Sequence, residues 1–161
     1  LTSFYYTNIE INKKDEKKIK FNKEVMHQSK LINYFNGDYS KSKIEKDLQN
    51  FLKKIKKNKK YFFSKKDQIF LESLKSDGIE IPKKYDDLYE VNQSEIPSDI
   101  QVMINNDEKG AALLRIVEVI GQDNLDRIDD DTIYFIIATL NQLNIDKIRN
   151  EILLKVLPLK V

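Results

Sequence analysis

Apolar residues recur through the C-terminal third of the chain at the spacing of an α-helix. Leu113, Ile116, Val117 and Ile120 stand at i, i+3, i+4 and i+7, with Arg115 and Glu118 on the other face. The spacing predicts a helix over 109–120, stopped by Gly121, which enters left-handed backbone readily. Ile133, Ile136, Ile137 and Leu140 repeat the pattern behind Asp129, Asp130 and Asp131, which supply an N-cap and first-turn carboxylates. Asn144 and Asp146 make a tight connection, Asp146 being the expected N-cap of a third helix over 146–157. That helix carries Ile148, Ile152, Leu153 and Val156 inward and ends at Pro158. Helices joined by loops this short pack as antiparallel neighbours.

The N-terminal half reads as helical too. Ser42 and Glu45 have the spacing of a capping box ahead of a stripe formed by Ile44, Leu48, Phe51, Leu52 and Ile55. Ser64 and Asp67 open another helix, with Phe70, Leu71 and Leu74 inward and Gly78 at its end. Met26, Leu31, Ile32 and Phe35 predict an earlier helix, closed by Asn36-Gly37-Asp38. Residues 1–23 are open between a short β-hairpin and a frayed helix. Between the halves, Pro82 and Pro97 bracket Tyr85, Leu88 and Tyr89, whose aromatic and apolar side chains argue for a packed connection. Pro97 is expected in the first turn of a short helix reaching Asn105.

The expected class is therefore all-α: short antiparallel helical hairpins stacked as a small bundle or solenoid fragment. Over residues 24–78 and 108–157 this resembles an α-solenoid or tetratricopeptide-like repeat in architecture. The chain has no sustained period of ~34 residues and no Trp, Leu-Gly, Tyr consensus, so no binding residues transfer from such a family. The resemblance implies a module that binds other proteins on a concave surface.

Charge divides the chain. Residues 1–85 hold 21 Lys against 11 acidic residues, and residues 86–161 hold 7 Lys and Arg against 15. A basic half over 1–85 and an acidic half over 86–161 then make one continuous domain with a dipole along its sequence. Lysine abundance beside scarce Arg, Ala and Gly also fits an AT-rich, low-GC coding sequence, which weakens lysine content alone as a sign of nucleic-acid binding. The apolar fraction of 40% suffices for a core. No apolar run nears the ~18 residues needed to span a bilayer. These features read as a soluble chain and leave the compartment open, with the cytoplasm favoured. The chain begins at Leu1 rather than Met, as the C-terminal part of a larger protein would.

Little in the sequence points to catalysis. With no Cys and one His, disulfides, zinc-thiolate sites, thiol nucleophiles and His-dependent triads lose their residues. His27 reads as a surface or boundary residue. Gly37, Gly78, Gly110 and Gly121 are too scattered for a phosphate loop. Asp123, Asp126, Asp129, Asp130 and Asp131 lack the spacing, central glycine and terminal glutamate of a calcium loop. Glu95, Asp99, Glu108 and Glu118 have nothing that pairs them for acid–base work. No enzyme and no cofactor are expected.

One segment carries a sharper hypothesis. Lys53, Lys54, Lys56, Lys57, Lys59, Lys60, Lys65 and Lys66 interleave with Tyr61, Phe62 and Phe63. Cations beside aromatics suit contact with phosphates and bases, or with an anionic membrane surface. The plainer expectation is a solvated lysine face with Phe62 and Phe63 in the core. Two functional classes follow. The leading one is a non-enzymatic protein–protein interaction module, whose partner is another protein or a second copy. The other is a binder of nucleic acid or anionic membrane, using Lys53, Lys54, Lys56, Lys57, Lys59, Lys60, Tyr61, Lys65 and Lys66.

Overall fold

The computed structural model describes residues 19–88, 96–121 and 124–159. Every element among them is helical and no strand occurs. The α-helices are α1 (Lys41–Lys57), α2 (Lys65–Ser76), α3 (Ser98–Asn105), α4 (Lys109–Ile120), α5 (Asp130–Gln142) and α6 (Asp146–Val156). Short 3-10 turns occupy Met26–Gln28, Lys30–Asn36, Lys83–Leu88 and Leu125–Arg127. The hairpin weighed for residues 1–23 falls almost wholly outside the described residues, as does Tyr89.

Helix starts follow local hydrogen-bond chemistry. Ser64 accepts from the Asp67 N–H and the Asp67 carboxylate accepts from the Ser64 N–H, the reciprocal box expected for α2. At α1 the expected cap is displaced. Ser40, not Ser42, is the N-cap and accepts from the Lys43 N–H at 3.3 Å. Glu45 instead accepts from the Glu80 N–H, tying α1 to the connection after α2. Asp146 sits inside the first turn of α6, with Ile145 at the cap, and Pro97 caps α3 from just outside it.

Three helices end in the same way. After α2 the Gly78 N–H reaches Lys75 O and the Ile79 N–H reaches Leu74 O, with Gly78 at φ +83°. Asp107 after α3 and Asn144 after α5 hold the corresponding left-handed position at φ 57° and 56°. This is the Schellman arrangement, in which short polar side chains can replace glycine.

The expected helix around Met26–Phe35 is two 3-10 segments instead. Ser29 breaks it, in extended backbone at φ −81°, ψ 175°. Its hydroxyl donates to Met26 O at 2.7 Å and accepts from the Leu31 N–H at 3.3 Å, giving the chain local bonds in place of a helical ladder.

Packing joins elements distant in sequence. Lys65 and Lys66 of α2 meet Asp131 and Asp130 of α5, while Ser73 and Ser76 near its end meet Asn141. These pairings run in the same order along both helices, so α2 and α5 lie parallel. α3 packs on α4, and α5 on α6. A single apolar cluster, including Met26, Leu48, Phe70, Ile116, Ile137 and Leu153, draws on both halves of the chain.

Two helices keep most of the expected face, with Leu113, Ile116, Ile120, Ile152, Leu153 and Val156 buried or packed on the core, but each departs from it at one position. Ala112 and Ile116 are the buried residues of α4, whereas Val117 is 62% exposed. In α6 Ile148 is 40% exposed and Arg149 is fully buried. The guanidinium's partners account for the buried Arg149. It makes a bidentate pair with Asp77 at 2.7 and 2.8 Å, reaches Asn141 and Asn150, and lies over the Phe35 ring. A buried charge needs such a partner, and Asp77 provides it.

Candidate anion-contact surface

The lysine segment folds as a corner between α1 and α2. Lys53, Lys54, Lys56 and Lys57 crowd the last turns of α1, where cations complement the negative end of the helix dipole. Asn58 caps that end and turns the chain. Its side-chain oxygen accepts from the Lys60 N–H at 3.1 Å and its carbonyl from the Tyr61 N–H at 3.1 Å.

Tyr61 anchors the corner. Its hydroxyl donates to Asp67 at 2.6 Å and accepts from the Met26 N–H at 3.0 Å. Side chains then alternate: Tyr61 and Phe63 are partly buried against the core, while Phe62 between them is 82% exposed. Phe62 was expected in the core. With its two neighbours occupying the interior, its ring is left outside.

The structure divides the nine candidate residues. Lys53, Lys54, Lys57, Lys59 and Lys60 are exposed, and none has a carboxylate within 4.0 Å among the described residues. Lys56 donates to Lys84 O at 2.7 Å and lies by the Tyr85 ring. Tyr61 faces inward. Lys65 and Lys66 are turned toward α5, 3.5 Å from Asp131 and 3.7 Å from Asp130. The neighbouring turn, whose Lys84 carbonyl Lys56 reaches, exposes Lys83 and Lys84 together with Asp86 and Asp87.

Two shallow depressions of about 380 and 350 Å³ adjoin the corner and share Lys23, Phe51 and Lys54. Lys54 thus borders both the corner and a groove that continues to Lys30 and Tyr39.

His27 is not the surface or boundary residue expected. It is buried, with Nδ1 2.6 Å from Asp67 and its backbone N–H donating to the same carboxylate at 3.1 Å. The buried Asp67 therefore joins the turn at Met26–Gln28, Tyr61 of the corner and the first turn of α2. Among the described residues no group of three His, Asp or Glu side chains could hold a metal ion; the side chains of Asp123 and Asp126 lie outside them.

Three tyrosines report on the buried carboxylate contacts. Tyr34, Tyr61 and Tyr134 donate to Asp77, Asp67 and Glu72, and burial, then the carboxylate bond, raises each well above the ordinary 10.0. The folded protein holds these protons more tightly than the unfolded chain does. The resulting stability is complete below about pH 10 and declines as pH rises beyond it. In an alkaline titration followed by phenolate absorbance, the three should ionise together with loss of helicity. Uniform titration of all 8 tyrosines near pH 10 with the fold retained would contradict these bonds.

No protein-family model matches the chain, and comparisons with curated proteins and with solved structures likewise return no match. Among the described residues, fold and site define an all-helical protein with a lysine-rich corner that exposes Phe62.

Proposed function

We propose that the chain is a non-enzymatic binding module whose working surface is the corner formed by Lys53, Lys54, Lys57, Lys59, Lys60 and Phe62, and whose partner is anionic. The observation that carries this reading is the pairing of five lysines that lack carboxylate neighbours among the described residues with a ring 82% exposed to water. Phe62 adds an apolar contact beside those cations, as binding to an anionic surface would use. In the same reading the fold is a stack of short hairpins. Support comes from α3 packing on α4 and α5 on α6.

A second reading keeps a protein partner, or a second copy of the chain. Leu114 at 68%, Val117 at 62% and Val102 at 56% exposure place apolar side chains on the outside of α3 and α4. The opposed charges of the two halves suit self-association.

Retention on a polyanionic matrix tests the first reading. Wild-type protein should be held and released by salt. Changing Lys53, Lys57, Lys59 and Lys60 to Gln should leave helicity intact and lower the eluting salt. On duplex DNA, each phosphate no longer neutralised by a lysine lowers the slope of log affinity against log salt by about 0.9. Four such phosphates would lower it by about 3.6. An unchanged slope would refute the assignment.

A further inference from the structure

We infer that the anionic partner of this corner is a lipid bilayer surface, with Phe62 inserted among the headgroups and the lysines at the level of the phosphates. This deepens the binding-module reading above and rests on it. Single-stranded nucleic acid is gripped by successive aromatic rings on which successive bases stack. Here only one of the three neighbouring rings is available, because Tyr61 is bonded to Asp67 and Met26 and Phe63 packs against the core. A lone apolar ring at the tip of a cationic corner suits insertion instead, since the ring can leave water while the flanking ammonium groups stay in it.

The kind of cation agrees. The corner contains Lys and no Arg. Arginine has the planar fork that grips a phosphate bidentately and stacks on bases, whereas lysine is a mobile point charge. Mobile charges suffice on a membrane, where anionic lipids diffuse to meet them. The contact would be peripheral, as no described helix is long and apolar enough to cross a membrane.

The chain has no Trp, so Phe62→Trp places a single reporter at the tip. The variant is mixed with vesicles of phosphatidylcholine, with the same vesicles containing phosphatidylserine, and with single-stranded and duplex oligonucleotides. The expected result is sedimentation with the phosphatidylserine vesicles and not with phosphatidylcholine alone, a blue-shifted Trp emission, and protection from an aqueous quencher. Phe62→Ser should weaken partitioning about tenfold or more, because the ring's transfer out of water is lost, with the helical spectrum unchanged. Binding to oligonucleotides without binding to vesicles would overturn the lipid assignment and leave the binding-module reading standing. Vesicle binding with an unshifted, fully quenched Trp would overturn the insertion of Phe62. Binding to neither probe would overturn both readings.

Discussion

Replacing Arg149 by Ala is expected to destabilise the protein by about 3–5 kcal/mol, the loss typical of a buried ion pair stripped of one partner. Arg149 is fully buried and bonds Asp77 through both terminal nitrogens. Asp77 also accepts from the Tyr34 hydroxyl at 2.8 Å, and Arg149 reaches the Asn141 side chain of α5 at 3.1 Å. One guanidinium therefore connects the 3-10 turn at Lys30–Asn36, the end of α2, α5 and α6. Its removal leaves a largely buried carboxylate without its counter-charge and opens space beneath Phe35. Arg149→Lys keeps the charge but loses the fork, and should recover only part of the loss. Urea unfolding at constant m measures both. A loss below about 1 kcal/mol for Arg149→Ala would mean that this network contributes little to joining the two halves.

Asp67→Ala should cost on the order of 3 kcal/mol. Loss of the helix cap contributes about 1 kcal/mol, and buried donors left without an acceptor about 1–3 kcal/mol. Those donors are the His27 backbone N–H at 3.1 Å and the Tyr61 hydroxyl at 2.6 Å, with the His27 ring at 2.6 Å also losing its partner. Tyr61→Phe removes one bond and should cost about 1 kcal/mol. Both changes free the corner from its anchor, so both should weaken anion binding without removing any lysine. If Asp67→Ala unfolds at the wild-type urea concentration, Asp67 is not the hub of these bonds.

Local patterns in the sequence were enough to find much of this fold. The Ser64-x-x-Asp67 box opens α2, and Ile133, Ile136, Ile137 and Leu140 are all buried at the helical spacing that predicted them. What failed depended on distant partners. Ile148 was expected inward with Ile152, Leu153 and Val156, but Arg149 takes that place, and its partner Asp77 lies 72 residues away. His27 likewise owes its burial to Asp67, 40 residues on. Val117 faces out although Leu113, Ile116 and Ile120 of the same stripe pack on the core. At the site, the lysine cluster stood out in the sequence, but its division did not. Lys65 and Lys66 turn toward acids because the first turns of α2 and α5 lie side by side, a tertiary fact. Phe62 was more accessible to reasoning, since inward-facing Tyr61 and Phe63 leave the ring between them outside.

Whether the lysine corner is the working surface can be read from a backbone amide NMR titration with a short heparin-derived oligosaccharide. Polyanion contact should shift the amides of residues 53–62 progressively, and the shifts should fade as salt is raised. Amides around Val102, Leu114 and Val117 should stay in place. Shifts centred on those three residues, or none along 53–62 at low salt, would contradict the assignment of the corner.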